Sequence, residues 1–125
     1  MRIAITEWNG RIAPVFDVTC RAMLLDWDGD SLVKEEGIAL PDGEPHHKIL
    51  FLRGLGVEEL ICGAISCPVR AEAEGAGMVV HGFIAGDYRE IIEGWRQTRL
   101  REDRYAMPGC GRRRRCCGRR GGENK

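Results

Sequence analysis

The residues in this sequence that are best suited to metal or redox chemistry are its six cysteines, three of which lie near the C-terminus. Gly111 and four arginines separate Cys110 from the adjacent pair Cys116 and Cys117, and nearby positive charge favours the thiolate form that binds metals. Their spacing differs from the Cys-x2-Cys pattern of zinc and ferredoxin sites, and adjacent cysteines rarely ligate one ion together. Two interpretations stay open: a metal–sulfur site, or a solvated basic tail with incidental thiols.

A second candidate site is the link between a predicted buried strand and the following helix, which contains Gly63, Ala64, Ser66 and Cys67. Small residues let a ligand approach the main chain, and a helix start offers unpaired N–H groups and positive dipole charge. We expect this link to bind an anion such as a phosphate, a carboxylate or a sulfide-rich cluster, with Cys67 as a metal ligand. An ordinary tight strand–helix junction is the alternative, and Cys62 is expected in the core.

The remaining candidates are a loop and three histidines. The segment 10–17, Gly-Arg-Ile-Ala-Pro-Val-Phe-Asp, predicts a shaped loop packed onto the domain, with Arg11 available to an anion. His46 and His47 are adjacent at a helix start and point in different directions, so at most one could face a shared ligand. His81 lies near the carboxyl end of a predicted strand, where it suits a hydrogen-bonded core position as well as a ligand position.

Hydrophobic periodicity and turn residues predict the elements that position these side chains. Strands are expected over 2–6, 22–27, 31–40, 59–65 and 78–84, and helices over 46–53, 66–75 and from 87 onward. Asn9-Gly10 and Gly29 mark turns. The front half is therefore predicted to be antiparallel and the rest to alternate strand and helix, which indicates an α/β fold with a mixed sheet and helices on its faces. The apolar stripe at helical spacing in the last helix predicts packing surface: Tyr88, Ile91, Ile92 and Trp95.

Length and composition are those of one ordinary soluble domain of 125 residues. The longest apolar run, 60–65, is far short of the roughly 20 residues of a membrane span, and the N-terminus lacks the features of a signal peptide. We therefore expect a cytoplasmic protein whose cysteines are free thiols rather than disulfides.

Charge divides the chain into two segments. Residues 1–106 carry 12 Lys/Arg and 18 Asp/Glu, a net −6, whereas residues 107–125 carry seven basic residues against Glu123, a net +6. We predict an α/β domain over 1–106 and a basic, Cys/Arg/Gly-rich tail over 107–125 that is disordered on its own.

The opening strand Met-Arg-Ile-Ala-Ile followed by Gly-Arg-Ile-Ala-Pro-Val-Phe-Asp closely resembles the signature of the dinitrogenase iron–molybdenum cofactor biosynthesis (NifX/NifB-type) family. Later landmarks are similar, namely Gly56-Val57, the run 60–66, Gly77 and the ending Met107-Pro108-Gly109-Cys110-Gly111. The resemblance covers residues 1–111 and is to a small stand-alone member. It implies a ribonuclease H-like three-layer fold with a mixed five-stranded sheet, and binding or carriage of iron–sulfur or molybdenum-containing clusters without catalysis. It supplies no fixed ligand set, so Cys67 and Cys110 as ligands are our own inference.

Three functions compete. The leading hypothesis is a non-enzymatic cluster binder or carrier that works with a cluster donor or acceptor protein. The alternative is an interaction module whose Arg-rich tail binds nucleic acid or an acidic protein surface, although the tail has no aromatic residues for base stacking. The third is a metal-dependent nuclease, which would need clustered carboxylates from a set that occupies turns and strands: Glu7, Asp17, Asp26 and Asp28.

Overall fold

The computed structural model describes residues 1–29 and 31–98. They form six strands, three α-helices and one 3-10 turn, in the order β1 (Arg2–Trp8), β2 (Arg11–Ile12), the 3-10 turn (Phe16–Val18), β3 (Arg21–Asp28), β4 (Ser31–Ala39), α1 (Pro45–Gly54), β5 (Glu59–Ile61), α2 (Cys67–Gly75), β6 (Val79–His81) and α3 (Tyr88–Thr98). The predicted tail, with its three cysteines, lies outside the described residues.

One mixed sheet carries the fold, with strand order β4-β3-β1-β5-β6. β3 is antiparallel to both β1 and β4, whereas β5 is parallel to both β1 and β6. This confirms the predicted antiparallel front half and the parallel strands that alternate with helices. The α/β class and the mixed sheet are therefore as predicted.

The sheet has one strand more than the five predicted, because β2 pairs with the end of β1. Asn9 and Gly10 both adopt positive φ, at 52° and 79°. Positive φ at both central residues is the conformation of the tight turns that match strand twist. The Asn-Gly turn was predicted, but the two-residue strand after it was too short for a periodicity to show.

Two apolar cores separate the helices into layers. On one face of the sheet, alternate residues such as Ala4 and Leu60 pack with Ile49 and Leu52 of α1 and Ala73 of α2. On the other face, neighbouring strand residues pack against the predicted stripe of α3, all of it buried: Tyr88, Ile91, Ile92 and Trp95. The stripe is thus packing surface, and the sheet lies between α1 and α2 on one side and α3 on the other.

Helix bounds agree closely with the sequence prediction, and their starts have identifiable causes. The side chain of Asp87 accepts a 2.9 Å hydrogen bond from the main-chain N–H of Arg89 just before α3, as an N-cap residue does. α1 and α2 each have a proline in their first turn, where the missing N–H costs no helical bond. Among the described residues, no helix is long and apolar enough to cross a membrane.

Candidate functional site

The strand–helix link that was predicted to receive an anion is filled by the protein's own first loop. The main-chain N–H of Ala64 donates to the carbonyl of Pro14, and the Ala64 carbonyl accepts from Phe16, each at 2.8 Å. The Gly63 carbonyl accepts a third bond, from Phe83, also at 2.8 Å. The close main-chain approach that the small residues permit is therefore made by segment 13–16, and β5 ends at Ile61, earlier than predicted.

Ser66 and Cys67 lie where the sequence predicted, at the start of α2. Ser66 is the N-cap residue, but its side chain makes no capping hydrogen bond. Its carbonyl accepts from the Arg70 N–H at 2.9 Å. Cys67 is disulfide-bonded, so the expectation of free thiols is wrong for this residue, and Cys67 offers a metal no thiolate unless the disulfide is reduced.

Arg11 does not join these residues in one site. It is exposed on β2, and its main chain forms an isolated antiparallel β-bridge with Asp87, which leads into α3. Ser66 and Cys67 begin α2, in the helical layer on the opposite face of the sheet. The other predicted ligands, Cys110, Cys116 and Cys117, lie outside the described residues.

The structure instead presents a groove at the carboxyl end of β1, between the end of that strand and the segment that leads into β3. Its volume is about 690 Å³, and it is lined by residues of those two segments: Glu7, Trp8, Asn9, Ala13, Pro14, Val15, Val18, Thr19, Cys20 and Arg21. We call it the β1 groove. A volume of this size is typical of small-molecule sites, which are mostly apolar with a few polar groups.

The walls of the β1 groove are exposed apolar side chains. Val18 is 78% exposed and Trp8 is 60% exposed, and Val15 is the least exposed of the three at 39%. Exposed apolar surface that is concentrated in one place often marks a binding surface. Three of the lining residues, Ala13, Pro14 and Val15, belong to the first loop, which carries the family resemblance.

Cys20 places a thiol at the lining of the β1 groove. It is exposed and free, whereas the other free cysteine among the described residues, Cys62, is buried. Burial raises the pKa of the Cys62 thiol to about 12, because a thiolate is unfavourable away from water. Cys62 is therefore a core residue, as predicted, and Cys20 is the thiol that a groove ligand meets.

One rim of the groove is a fixed ion pair. Arg21 Nε lies 2.7 Å from Glu7 Oε1, and the other oxygen of Glu7 accepts a 2.7 Å hydrogen bond from the Gly10 N–H. Both carboxylate oxygens are thus occupied. The pair holds the end of β1, its turn and the start of β3 together, which fixes the shape of the groove at that end.

Sequence reasoning passed over Trp8 and Cys20, although a signal existed. The register pairs Ile5 with Met23 and Thr6 with Ala22, and continuing it by two residues places Trp8 opposite Cys20. Both then fall on one face at the frayed end of the sheet. The signal depends on knowing that β1 and β3 pair, which the order of strands along the chain leaves open.

Two of the three histidines have carboxylate partners. His81 Nε2 lies 2.8 Å from Glu59 Oε1, and the Trp95 ring N–H donates to the same oxygen at 3.3 Å. His46 pairs with Glu72. Within residues 1–29 and 31–98, no group of three or more His, Cys, Asp or Glu side chains is placed to hold a metal ion, so the carboxylates that a nuclease would need are not gathered there.

Comparison with known proteins places the fold but gives no family. No family model matches the chain, and no curated protein matches it either. Among solved structures, the crystal structure of PH0822 superposes with a TM-score of 0.73 at 17% identity, covering 77% of this chain and 88% of that one.

Two further neighbours bear names related to nitrogenase. A protein of Methanocaldococcus jannaschii provisionally named a dinitrogenase has a TM-score of 0.66 at 14% identity, covering 79% of this chain and 90% of that one. A Thermotoga protein provisionally named NifB, from the DUF35 family, has a TM-score of 0.58 at 21% identity, with coverages of 78% and 89%. At these identities the likeness shows a shared fold. The class defined here is thus a small α/β domain with a mixed open sheet and a thiol-bearing groove.

Proposed function

We propose that this chain binds or carries an iron–sulfur or molybdenum-containing metal–sulfur cluster and that the cluster sits in the β1 groove. The observation that carries the proposal is the exposed thiol of Cys20 within an apolar groove of about 690 Å³. The loop that contributes Ala13, Pro14 and Val15 to the groove is the segment that resembles the NifX/NifB-type signature. Two neighbours in fold with nitrogenase-related names support the same direction.

The donor set of the groove fits a preassembled cluster better than a single metal ion. A structural metal ion such as zinc needs four protein ligands, and the described residues gather no such set. A cluster brings inorganic sulfide that supplies most of the coordination of each metal, so Cys20 would supply one terminal thiolate and the other terminal positions would be filled by ligands from outside the groove. The apolar walls would also limit the contact of the cluster with water, which hydrolyses exposed clusters.

The role we infer is non-enzymatic. A carrier must release its cargo, and a single protein thiolate releases a cluster to a partner with more ligands more readily than a closed site does. The proposed partners are therefore a cluster donor and a cluster acceptor protein. Cys67 in its reduced form and the tail cysteines Cys110, Cys116 and Cys117 are proposed as further ligands during transfer, and the ribonuclease H-like assignment of the fold belongs to the same proposal.

Anaerobic reconstitution tests the function. The reduced protein is incubated with iron, sulfide and molybdate, desalted, and analysed for bound metal and visible absorbance. We expect a coloured protein with stoichiometric metal. A colourless, metal-free product under several reducing conditions would contradict the proposal, and a variant with Cys110, Cys116 and Cys117 all changed to serine shows whether the tail takes part.

A further inference from the structure

Lys48 is a buried lysine in α1, with a relative exposure of 3%. Lysine is almost never fully buried unless its charge is paired. None of the described carboxylates forms an ion pair with Lys48; its ammonium group instead donates hydrogen bonds to two main-chain carbonyls, those of Asp17 at 3.1 Å and Gly43 at 3.5 Å. Burying the ammonium group of Lys48 with main-chain carbonyls as its acceptors is costly, which indicates that these hydrogen bonds have a structural role.

The acceptor at 3.1 Å, the Asp17 carbonyl, directly precedes two residues that line the β1 groove. Asp17 is the central residue of the 3-10 turn Phe16–Val18, and Val18 and Thr19 line the groove immediately after it. One oxygen of the Asp17 carboxylate is buried without a hydrogen-bond partner among the described residues, so that oxygen does not fix the turn. The turn is held through its main chain, with Phe16 bonded to Ala64 and Thr19 bonded to Phe16.

We propose that Lys48 is a positioning residue. From α1 it holds the Asp17 carbonyl and so fixes the part of the groove wall that Val18 and Thr19 form. Lysine suits this task because its long stem packs along the α1 core while its ammonium reaches a turn on another segment. Hydrogen bonds to a charged group are stronger than neutral ones, so this single side chain stabilises the turn locally. What the groove holds rests on the proposed function, whereas the anchoring of the turn does not.

The test uses Lys48→Met, which keeps the apolar stem and removes the donor. Hydrogen exchange of the Phe16 and Thr19 amides is expected to be about tenfold faster or more, since a hydrogen bond to a charged group is lost. The amides of β1 and β3 should be unaffected. The matched control is Lys34→Met, because Lys34 is an exposed lysine whose partner is Glu36. Unchanged exchange of Phe16 and Thr19, or an equal increase throughout the sheet, would overturn the proposal.

Cluster loading provides the functional readout. Reconstituted with iron and sulfide, folded Lys48→Met is expected to retain clearly less metal than wild type and Lys34→Met. Equal loading of the three proteins would overturn the role of Lys48 in positioning the groove wall. A wild-type chain that takes up no metal would count against the proposed function alone, because the exchange experiment needs no metal.

If Lys48→Met does not fold, the wild-type protein supplies the second test. The ammonium protons of Lys48 should exchange with water slowly enough to give a side-chain nitrogen signal at neutral pH, as expected of a buried hydrogen-bonded group. The exposed ammonium of Lys34 is the comparison within the same chain. Exchange of Lys48 as fast as that of Lys34 would overturn the anchoring role.

Discussion

A Cβ atom placed on Gly63 would lie 2.4 Å from the carbonyl oxygen of Pro14 and 2.5 Å from that of Ala13. No side chain fits at such distances, so the first loop approaches the end of β5 as closely as glycine allows. This contact sets the position of the loop and, through it, of the β1 groove.

Gly63→Ala is therefore expected to destabilise the protein and to disturb the groove. The new methyl group meets main-chain atoms, which cannot rotate away, and overpacking of this kind costs about 1–3 kcal/mol. Urea unfolding followed by circular dichroism measures the free energy of unfolding. Exchange of the Ala64 amide, which donates to Pro14 at 2.8 Å, reports the loop contact.

Gly54→Ala is the matched control for that experiment. An added Cβ at Gly54, the last residue of α1, meets nothing within 4 Å. Alanine is favoured over glycine in helices by up to about 1 kcal/mol, so stability should stay the same or rise slightly. If Gly63→Ala were as stable as Gly54→Ala, the close loop contact would not exist in solution.

The two free thiols are expected to react at very different rates. Cys20 is exposed in the groove and Cys62 is buried, so alkylation of Cys62 must wait for the structure to open. In native protein at pH 8, iodoacetamide should modify Cys20 about 100-fold faster or more. Peptide mapping by mass spectrometry separates these sites from the other cysteines. Comparable rates would contradict the placement of either residue, and denatured protein, in which the rates converge, is the control.

Cys62 also predicts a pH dependence of stability. Burial raises the pKa of its thiol in the folded protein to about 12, above the roughly 8.5 of an unfolded chain. The unfolded chain therefore releases this proton first, and the corresponding stability is fully present below about pH 8.5 and is lost as the pH rises towards 12. By pH 9.5 the loss from this group is about 1 kcal/mol.

Cys62→Ala isolates that contribution. The substitution leaves a small cavity and lowers stability at every pH, but the decline between pH 7.5 and 9.5 should be shallower than in wild type by the amount given above. Urea unfolding at the two pH values measures the difference. Parallel declines in the two proteins would mean that Cys62 is not buried as a neutral thiol.

Trp8 gives an optical readout of groove occupancy. It is exposed in the groove, whereas Trp27 and Trp95 are buried together with ring centroids 4.8 Å apart. Acrylamide should quench Trp8 efficiently in the free protein and less efficiently once metal is bound, because the ligand covers the indole. Trp8→Phe should show equal quenching with and without metal. Unchanged quenching of wild type on loading would place the ligand elsewhere.

Periodicity and turn chemistry were enough to predict most of the fold. Helix α3 was predicted from its apolar stripe, the hairpin between β3 and β4 from the turn at Gly29, and the core position of Cys62 from the apolar run around it. The predicted strand 59–65 is longer than β5, which ends at Ile61, because the residues after Ile61 are also apolar. Nothing in the local sequence shows that Ala64 bonds to the first loop.

The site was harder to predict because it depends on contacts between distant segments. The small residues at 63 and 64 were predicted to admit a ligand to the main chain, and the group that approaches Gly63 in the structure is the carbonyl of Pro14. Cys20 and Trp8 become neighbours only through the register of β1 with β3. Lys48 looked like an ordinary charged helix residue, since burial of a lysine cannot be read from its neighbours in sequence.

Anaerobic reconstitution of wild type, Cys20→Ala and Cys62→Ala with iron, sulfide and molybdate tests the central claim most directly. The alanine variants each remove one thiol, from the groove and from the core respectively, so they differ in the place of the loss and not in its chemistry. Bound metal per chain and visible absorbance are measured after desalting. We predict that wild type and folded Cys62→Ala are coloured and hold similar metal, whereas Cys20→Ala loses most of it. Equal metal content in Cys20→Ala and wild type would contradict a cluster bound through the β1 groove.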